Sequence, residues 1–71
     1  MTGEKYLKRL GEKIAALRKK KRMSQNELAR RLDTGNNAIR RIERGKVNSS
    51  INMLRKIAKE LRVSLAKLVD L

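Results

Sequence analysis

Amide and guanidinium side chains crowd into one short stretch of this chain. Asn36, Asn37, Arg40 and Arg41 stand close together, interleaved with Ala38, Ile39 and Ile42 at helical spacing. A short helix through these residues has one apolar side and turns the four polar groups outward. Asparagine can make a bidentate pair with adenine and arginine with guanine. On the N-terminal half of an exposed helix such groups suit base edges and phosphates. Other chemistry is scarce. The 71 residues contain no histidine and no cysteine, so there is no imidazole acid or base, no thiolate nucleophile and no ordinary zinc ligand set. The carboxylates show no convergent metal spacing, and no glycine-rich phosphate loop is present. Neither catalysis, a cofactor, a metal nor a small-molecule ligand is expected.

The charge balance points the same way. Lys and Arg number 20 against 7 Asp and Glu, a formal charge of +13. Such a charge serves solubility and also draws a chain to ribosomal or membrane surfaces. A self-repelling charge of this size is most easily understood beside a polyanion, and nucleic acid is the expected partner. Phe and Trp are absent and Tyr6 is the only aromatic residue, which removes the stacking platforms used by many RNA and single-strand readers. No apolar run approaches the roughly 18 residues of a membrane span, and no signal-peptide core follows Met1. A cytoplasmic location without membrane contact is the expectation.

The reading residues need a support, and the remaining chain is patterned to supply it. A domain of this size buries only about 60% of its unfolded surface, so the core must be modest and aliphatic. Proline is absent and strand-like alternation appears nowhere, which predicts an all-α fold of five helices. Residues 1–5 are expected to be loose, and 6–71 to form one domain. The first helix, near 6–20, carries Leu7, Leu10, Ile14 and Leu17 on one stripe. Gly11 interrupts it at a cost of about 1 kcal/mol; it is either a tolerated weak point or a place where a neighbouring helix comes close. Arg18, Lys19, Lys20, Lys21 and Arg22 end that helix. The helix dipole favours cations there, but five in succession repel one another, so one or two are expected to meet phosphate.

Ser24-Gln25-Asn26-Glu27 is a capping box opening a second helix, near 25–32, with Leu28, Ala29 and Leu32 as its apolar side. Asp33-Thr34-Gly35 breaks it, and the third helix follows over 36–43. Gly45 fits the left-handed position just past a helix end. Ser50 caps a fourth helix, near 51–61, whose Ile51, Leu54, Ile57, Ala58 and Leu61 read as core. Ser64 caps a fifth, near 65–70. Helices 2 and 3 thus make a helix-turn-helix resting on the others.

These segments resemble the phage repressor and Cro-like class of helix-turn-helix DNA-binding domains. MSQNELARRL, AIRRIERGK and INMLRKIAKELRVSLAKL carry the resemblance, which covers about residues 8–70. It implies that Gln25, opening the second helix, holds a phosphate and braces the reading helix. Base reading maps onto Asn36, Asn37 and Arg41, with Arg40 near the groove wall. A family pattern also pairs an arginine late in the first helix with a glutamate ending the third, here Arg18 with Glu43. That tie would support the reading helix and leave guanidinium hydrogens for phosphate. Lys46 in the loop after the third helix joins Gln25 in gripping the backbone, with Arg18 to Arg22 and Arg44 as supplementary phosphate ligands. The chain departs from the pattern where the family usually has glycine (Asp33, Arg62), an apolar residue (Thr34), Ser or Thr (Gly35) and proline (Ser49). The altered turn leaves open whether Asn36, Asn37 or both face the bases.

The implied function is a sequence-specific, duplex DNA-binding transcriptional regulator acting at palindromic operators as a dimer. Leu65, Leu68, Val69 and Leu71 are the candidate dimer interface, although Leu65 and Leu68 can equally complete the core. Repression by exclusion and activation through a contact with RNA polymerase both fit. An antitoxin-like interaction module is a rival; it would usually carry a toxin-binding segment, for which this length leaves no room. An RNA-binding module is a second rival, favoured by charge alone.

Overall fold

In a computed structural model describing residues 3–71, the chain folds into five helices: α1 (Gly3–Lys20), α2 (Gln25–Arg31), α3 (Asn36–Glu43), α4 (Ile51–Glu60) and α5 (Leu65–Val69). No strand occurs among the described residues. The first helix begins at Gly3, three residues ahead of the expected start. Gly3 to Lys5 of the stretch expected to be loose are therefore helical, and Met1 and Thr2 lie outside the described residues. The pattern of apolar residues carries no information before Tyr6, whereas Glu4 in the first turn complements the helix dipole.

Three serines start the later helices as expected. The hydroxyls of Ser24, Ser50 and Ser64 accept from the amides of Glu27, Met53 and Lys67 at 3.0, 3.1 and 3.0 Å. Only half of the capping box forms at Ser24, because Glu27 turns its Oε2 to Arg31 Nη2 at 2.9 Å. Met23 and Val63 each stand just before one of these caps, and Leu28 and Leu68 four residues after them. Both leading residues pack with the core, as in a hydrophobic staple that sets the entry angle of a helix.

The helix ends are alike. After α1, α2, α3 and α4 the chain turns through one left-handed residue: Arg22 (φ 56°), Asp33 (φ 55°), Gly45 (φ 70°) and Arg62 (φ 58°). At each, two amides return to the last turn, as in Met23 to Arg18 and Arg22 to Lys19, or Lys46 to Arg41 and Gly45 to Ile42. This is the Schellman pattern, which satisfies carbonyls the helix leaves unpaired. Glycine occupies only one of the four positions, and a side chain in the left-handed region is held there against steric preference. Replacing Asp33 or Arg62 by glycine is expected to raise the unfolding free energy by about 0.5–1 kcal/mol each. A higher urea midpoint at unchanged slope would report it; a lower midpoint at both positions would contradict it.

The core forms where α1 and α2 meet α3 and where α5 packs against α1 and α4. Ile14, Leu28, Ile39, Ile57, Leu61 and Leu68 are its fully buried members. Ile51 departs from the expectation of a core role: it is 62% exposed. It fits the helical period, but as the first residue of α4 it sits one turn ahead of Leu54 at the open end of the stripe. Met23, not anticipated as core, is buried.

Candidate nucleic-acid interface

The third helix starts at Asn36 with Gly35 as its cap, and glycine offers no side-chain hydrogen bond there. That start fixes the helical phase. Ile39, Ile42 and Glu43 turn inward, while Asn37, Arg40, Arg41 and Arg44 are exposed. Positions 37, 40, 41 and 44 recur at three-, four- and seven-residue intervals and therefore share one face. Asn36 falls on the flank, in phase with Ile39 and Glu43. It is half-buried, and its Oδ1 is shielded from solvent without a hydrogen-bond partner. An unpartnered carbonyl oxygen in such a place costs about 1–3 kcal/mol. The outward face thus presents one carboxamide and three guanidiniums.

What holds this face in place is a buried polar knot. Arg18, near the end of α1, donates from Nε to Glu43 Oε2 at 2.7 Å and from Nη2 to Glu43 Oε1 at 3.1 Å. Its Nη1 donates to the Met23 carbonyl at 2.8 Å. Gln25, the first residue of α2, donates from Nε2 to Glu43 Oε1 at 2.9 Å. The Glu43 carboxylate at the end of α3 therefore gathers α1 and α2, while Arg18 also holds the loop before α2. A guanidinium matches a carboxylate as a two-pronged fork, which fixes orientation as well as distance.

The knot alters the position of one expected phosphate ligand. Arg18 is only 7% exposed, and three of the five N–H donors that a guanidinium carries are engaged within the protein. It stands in the support, apart from Arg22, Arg44 and Lys46, which are exposed. Gln25 is half-buried, with its amide nitrogen committed to Glu43. Met23 was missed by sequence reasoning, since its role lies in a backbone carbonyl; its place ahead of the Ser24 cap was the available signal.

Two glycines let α1 approach α3 and the loop beyond it. A Cβ on Gly11 would meet the carbonyl oxygens of Ile42 and Glu43, both at 2.5 Å. Close approach, the second of the two readings of Gly11, is what the fold contains. A Cβ on Gly45 would meet the Lys8 backbone at 2.6 Å, at a residue that also has positive φ. The last turn of α3 and the loop beyond it thus rest directly on the α1 backbone.

The four residues expected to form a dimer interface divide. Leu68 is fully buried and belongs to the core, whereas Leu65, Val69 and Leu71 are half-buried against it. The chain after α5 is also bound to α1. Tyr6 Oη donates to the Val69 carbonyl at 2.6 Å, Arg9 to the Leu71 carbonyl at 3.1 Å and Lys13 to the Asp70 carbonyl at 2.8 Å; Lys13 also reaches the Lys67 carbonyl. Among the described residues no helix is long and apolar enough to cross a membrane.

This architecture recurs in known proteins. The clp gene regulator ClgR from Corynebacterium glutamicum superposes with a TM-score of 0.86 at 23% identity, covering 90% of this chain and 68% of that one. At that identity the likeness concerns the fold. The restriction-modification controller protein C.AhdI from Aeromonas hydrophila superposes with a TM-score of 0.83 at 29% identity, over 87% of this chain and 94% of that one. An HTH_3 family transcriptional regulator from Vibrio cholerae gives a TM-score of 0.84 at 25% identity, with 94% of this chain matching 38% of that one. No curated protein sequence matches the chain. The helix-turn-helix model HTH_3 matches residues 14–68, a span that contains the knot, the turn and the whole of α3. On that match the chain belongs to the HTH_3 family of Cro/C1-type helix-turn-helix proteins.

Proposed function

We propose that the protein is a sequence-specific regulator of transcription that binds duplex DNA without chemistry, with α3 in the major groove. The observation carrying this reading is the exposed face of Asn37, Arg40, Arg41 and Arg44 on a helix whose end is tied to α1 and α2 through Glu43. A reading helix must be held rigidly, because base-edge hydrogen bonds fail with small displacements. Asn37 and Arg41 are assigned to base edges and Arg40 to an edge or the groove wall. The inward turn of the Asn36 oxygen makes Asn36 a flanking contact. Arg22, Gln25, Arg44 and Lys46 are assigned to phosphates, and Arg18 and Glu43 to support.

Family membership supports DNA binding, and likeness at 29% identity to a restriction-modification controller protein supports a regulatory role. One reading helix covers one half-site, so a palindrome bound by two copies about one helical turn apart is the expected operator. The partly exposed Leu65, Val69 and Leu71 are the proposed contact between those copies. At +13 per chain the pairing forms on DNA, where phosphate offsets the repulsion.

Competition among duplex DNA, duplex RNA and single strands at fixed salt tests the partner. Duplex DNA should win, and its affinity should fall with salt at a log–log slope of about −0.9 per phosphate contacted. A preference for duplex RNA, or a nearly flat salt dependence, would contradict the reading.

A further inference from the structure

The N-terminal half of α1 lies against the loop that follows α3. A Cβ on Gly45 would stand 2.6 Å from the Lys8 Cα and 2.7 Å from its nitrogen. The two segments therefore meet backbone to backbone, which brings Lys8 next to the loop that carries Lys46. Glu4, Leu7, Lys8, Gly45 and Lys46 line one depression of about 410 Å³. Glu4, Lys8 and Lys46 are exposed. Glu4 and Lys8 have the i,i+4 spacing at which an acid and a base commonly pair on a helix. No ion pair joins them, and among the described residues neither lysine's side chain forms an ion pair or hydrogen bond.

Two lysines against one carboxylate leave the depression cationic, and an anion between them offsets their repulsion. Lys46 is already assigned to a phosphate, with the exposed Arg44 two residues before it. The depression carries that backbone-gripping loop on to α1 without a break. A lysine acts on phosphate as a point charge on a flexible stem, which suits a phosphate whose place is fixed by other contacts. A small free anion would have only these two exposed lysines to hold it, with Glu4 opposed, and exposed charge pairs are weak. A second copy of the chain would bring +13 of its own and mostly like charge.

We infer that Lys8 binds a DNA phosphate beside the one assigned to Lys46, so that α1 becomes a backbone contact flanking the reading helix. The inference rests on the DNA-binding role of α3 and of the loop after it. Phosphate contacts carry no sequence, but they set the register and orientation of a protein on the duplex. Gly11 lies against the end of α3 and Gly45 against Lys8, so a grip at Lys8 is passed to α3 through backbone contact. Glu4 lines the same depression and tempers the grip by repelling the phosphate.

The test uses the full chain and a fluorescent duplex of about 20 base pairs, enough for two half-sites. Lysines are acetylated in the free and the duplex-bound protein, and the extent at each is read by mass spectrometry. The duplex should protect Lys8 and Lys46 alike. Lys8→Gln keeps a good helix former at an exposed position, and thermal unfolding checks that it is folded. It should lower the salt slope by about 0.9 and weaken binding by about two- to fivefold. Glu4→Gln should tighten binding by a similar factor. Protection of Lys46 without Lys8, an unchanged salt slope in folded Lys8→Gln, or weaker binding by Glu4→Gln would overturn the inference and leave the role of α3 standing. Protection of neither lysine would remove the phosphate role of Lys46 as well. Absence of duplex binding by the wild-type chain would sink the proposed function itself.

Discussion

Glu43→Ala should lower the unfolding free energy by about 3–5 kcal/mol, the range found when one partner of a buried ion pair is removed. The substitution leaves the Arg18 guanidinium buried with only the Met23 carbonyl for company, and it strips the Gln25 amide of its acceptor. An exposed pair behaves differently. Arg31 and Glu27 bond at 2.9 Å with side chains 49% and 36% exposed, and a pair of that kind contributes only about 0.3–0.5 kcal/mol. Glu27→Ala is therefore the matched control. A small domain has a total stability of about 5–15 kcal/mol, so the loss at Glu43 removes much of it and also frees the end of α3. Urea titration gives the comparison directly: equal, small losses for the two variants would show that the knot is no stronger than a surface pair. The double variant Arg18→Met/Glu43→Leu should recover much of the stability, since well-packed apolar replacements of buried pairs are often neutral. Its DNA affinity should remain reduced, because Gln25 no longer has its acceptor and α3 loses its link to α2.

Arg41→Ala carries the largest expected effect on binding. A bidentate arginine–guanine contact contributes about 1–3 kcal/mol of discrimination, so affinity for the preferred site should drop by about 5- to 150-fold. Affinity for unrelated duplexes should fall much less, since it loses one charge among many. Lys46→Ala should behave in the opposite manner, weakening all sequences alike and reducing the salt slope by about 0.9. Titration of specific and random duplexes with both variants separates a base reader from a phosphate ligand. An equal loss on both duplexes for Arg41→Ala would reassign that residue to the backbone.

The frame of this molecule was legible in the sequence because each helix announces itself by local means. Serine caps at 24, 50 and 64 act within one turn, and the bounds of α3 follow from Gly35 before it and the Gly45 turn after it. The pairing of Arg18 with Glu43 was not a local matter. Twenty cations compete for that carboxylate on paper, and only the resemblance singled out Arg18. What stayed hidden depends on contact between distant segments. Gly11 looks like a weak point in α1 until the carbonyls at the end of α3 are placed against it. Ile51 obeys the period of α4 yet lies beyond its packed length. Which of Asn36 and Asn37 faces outward depends on how α3 is rotated against α1 and α2, since adjacent helix residues differ by about 100°. In all three cases the missing information is tertiary.

Base reading by the outward face of α3 is open to direct measurement. Selection from random duplexes, run in parallel with the wild-type chain and Arg41→Ala and followed by footprinting, tests it most directly. The wild-type chain should enrich two inverted half-sites about one helical turn apart. Arg41→Ala should enrich the same pattern with one symmetrically placed base relaxed. Identical motifs from the two chains, or no motif from the wild type, would contradict the claim.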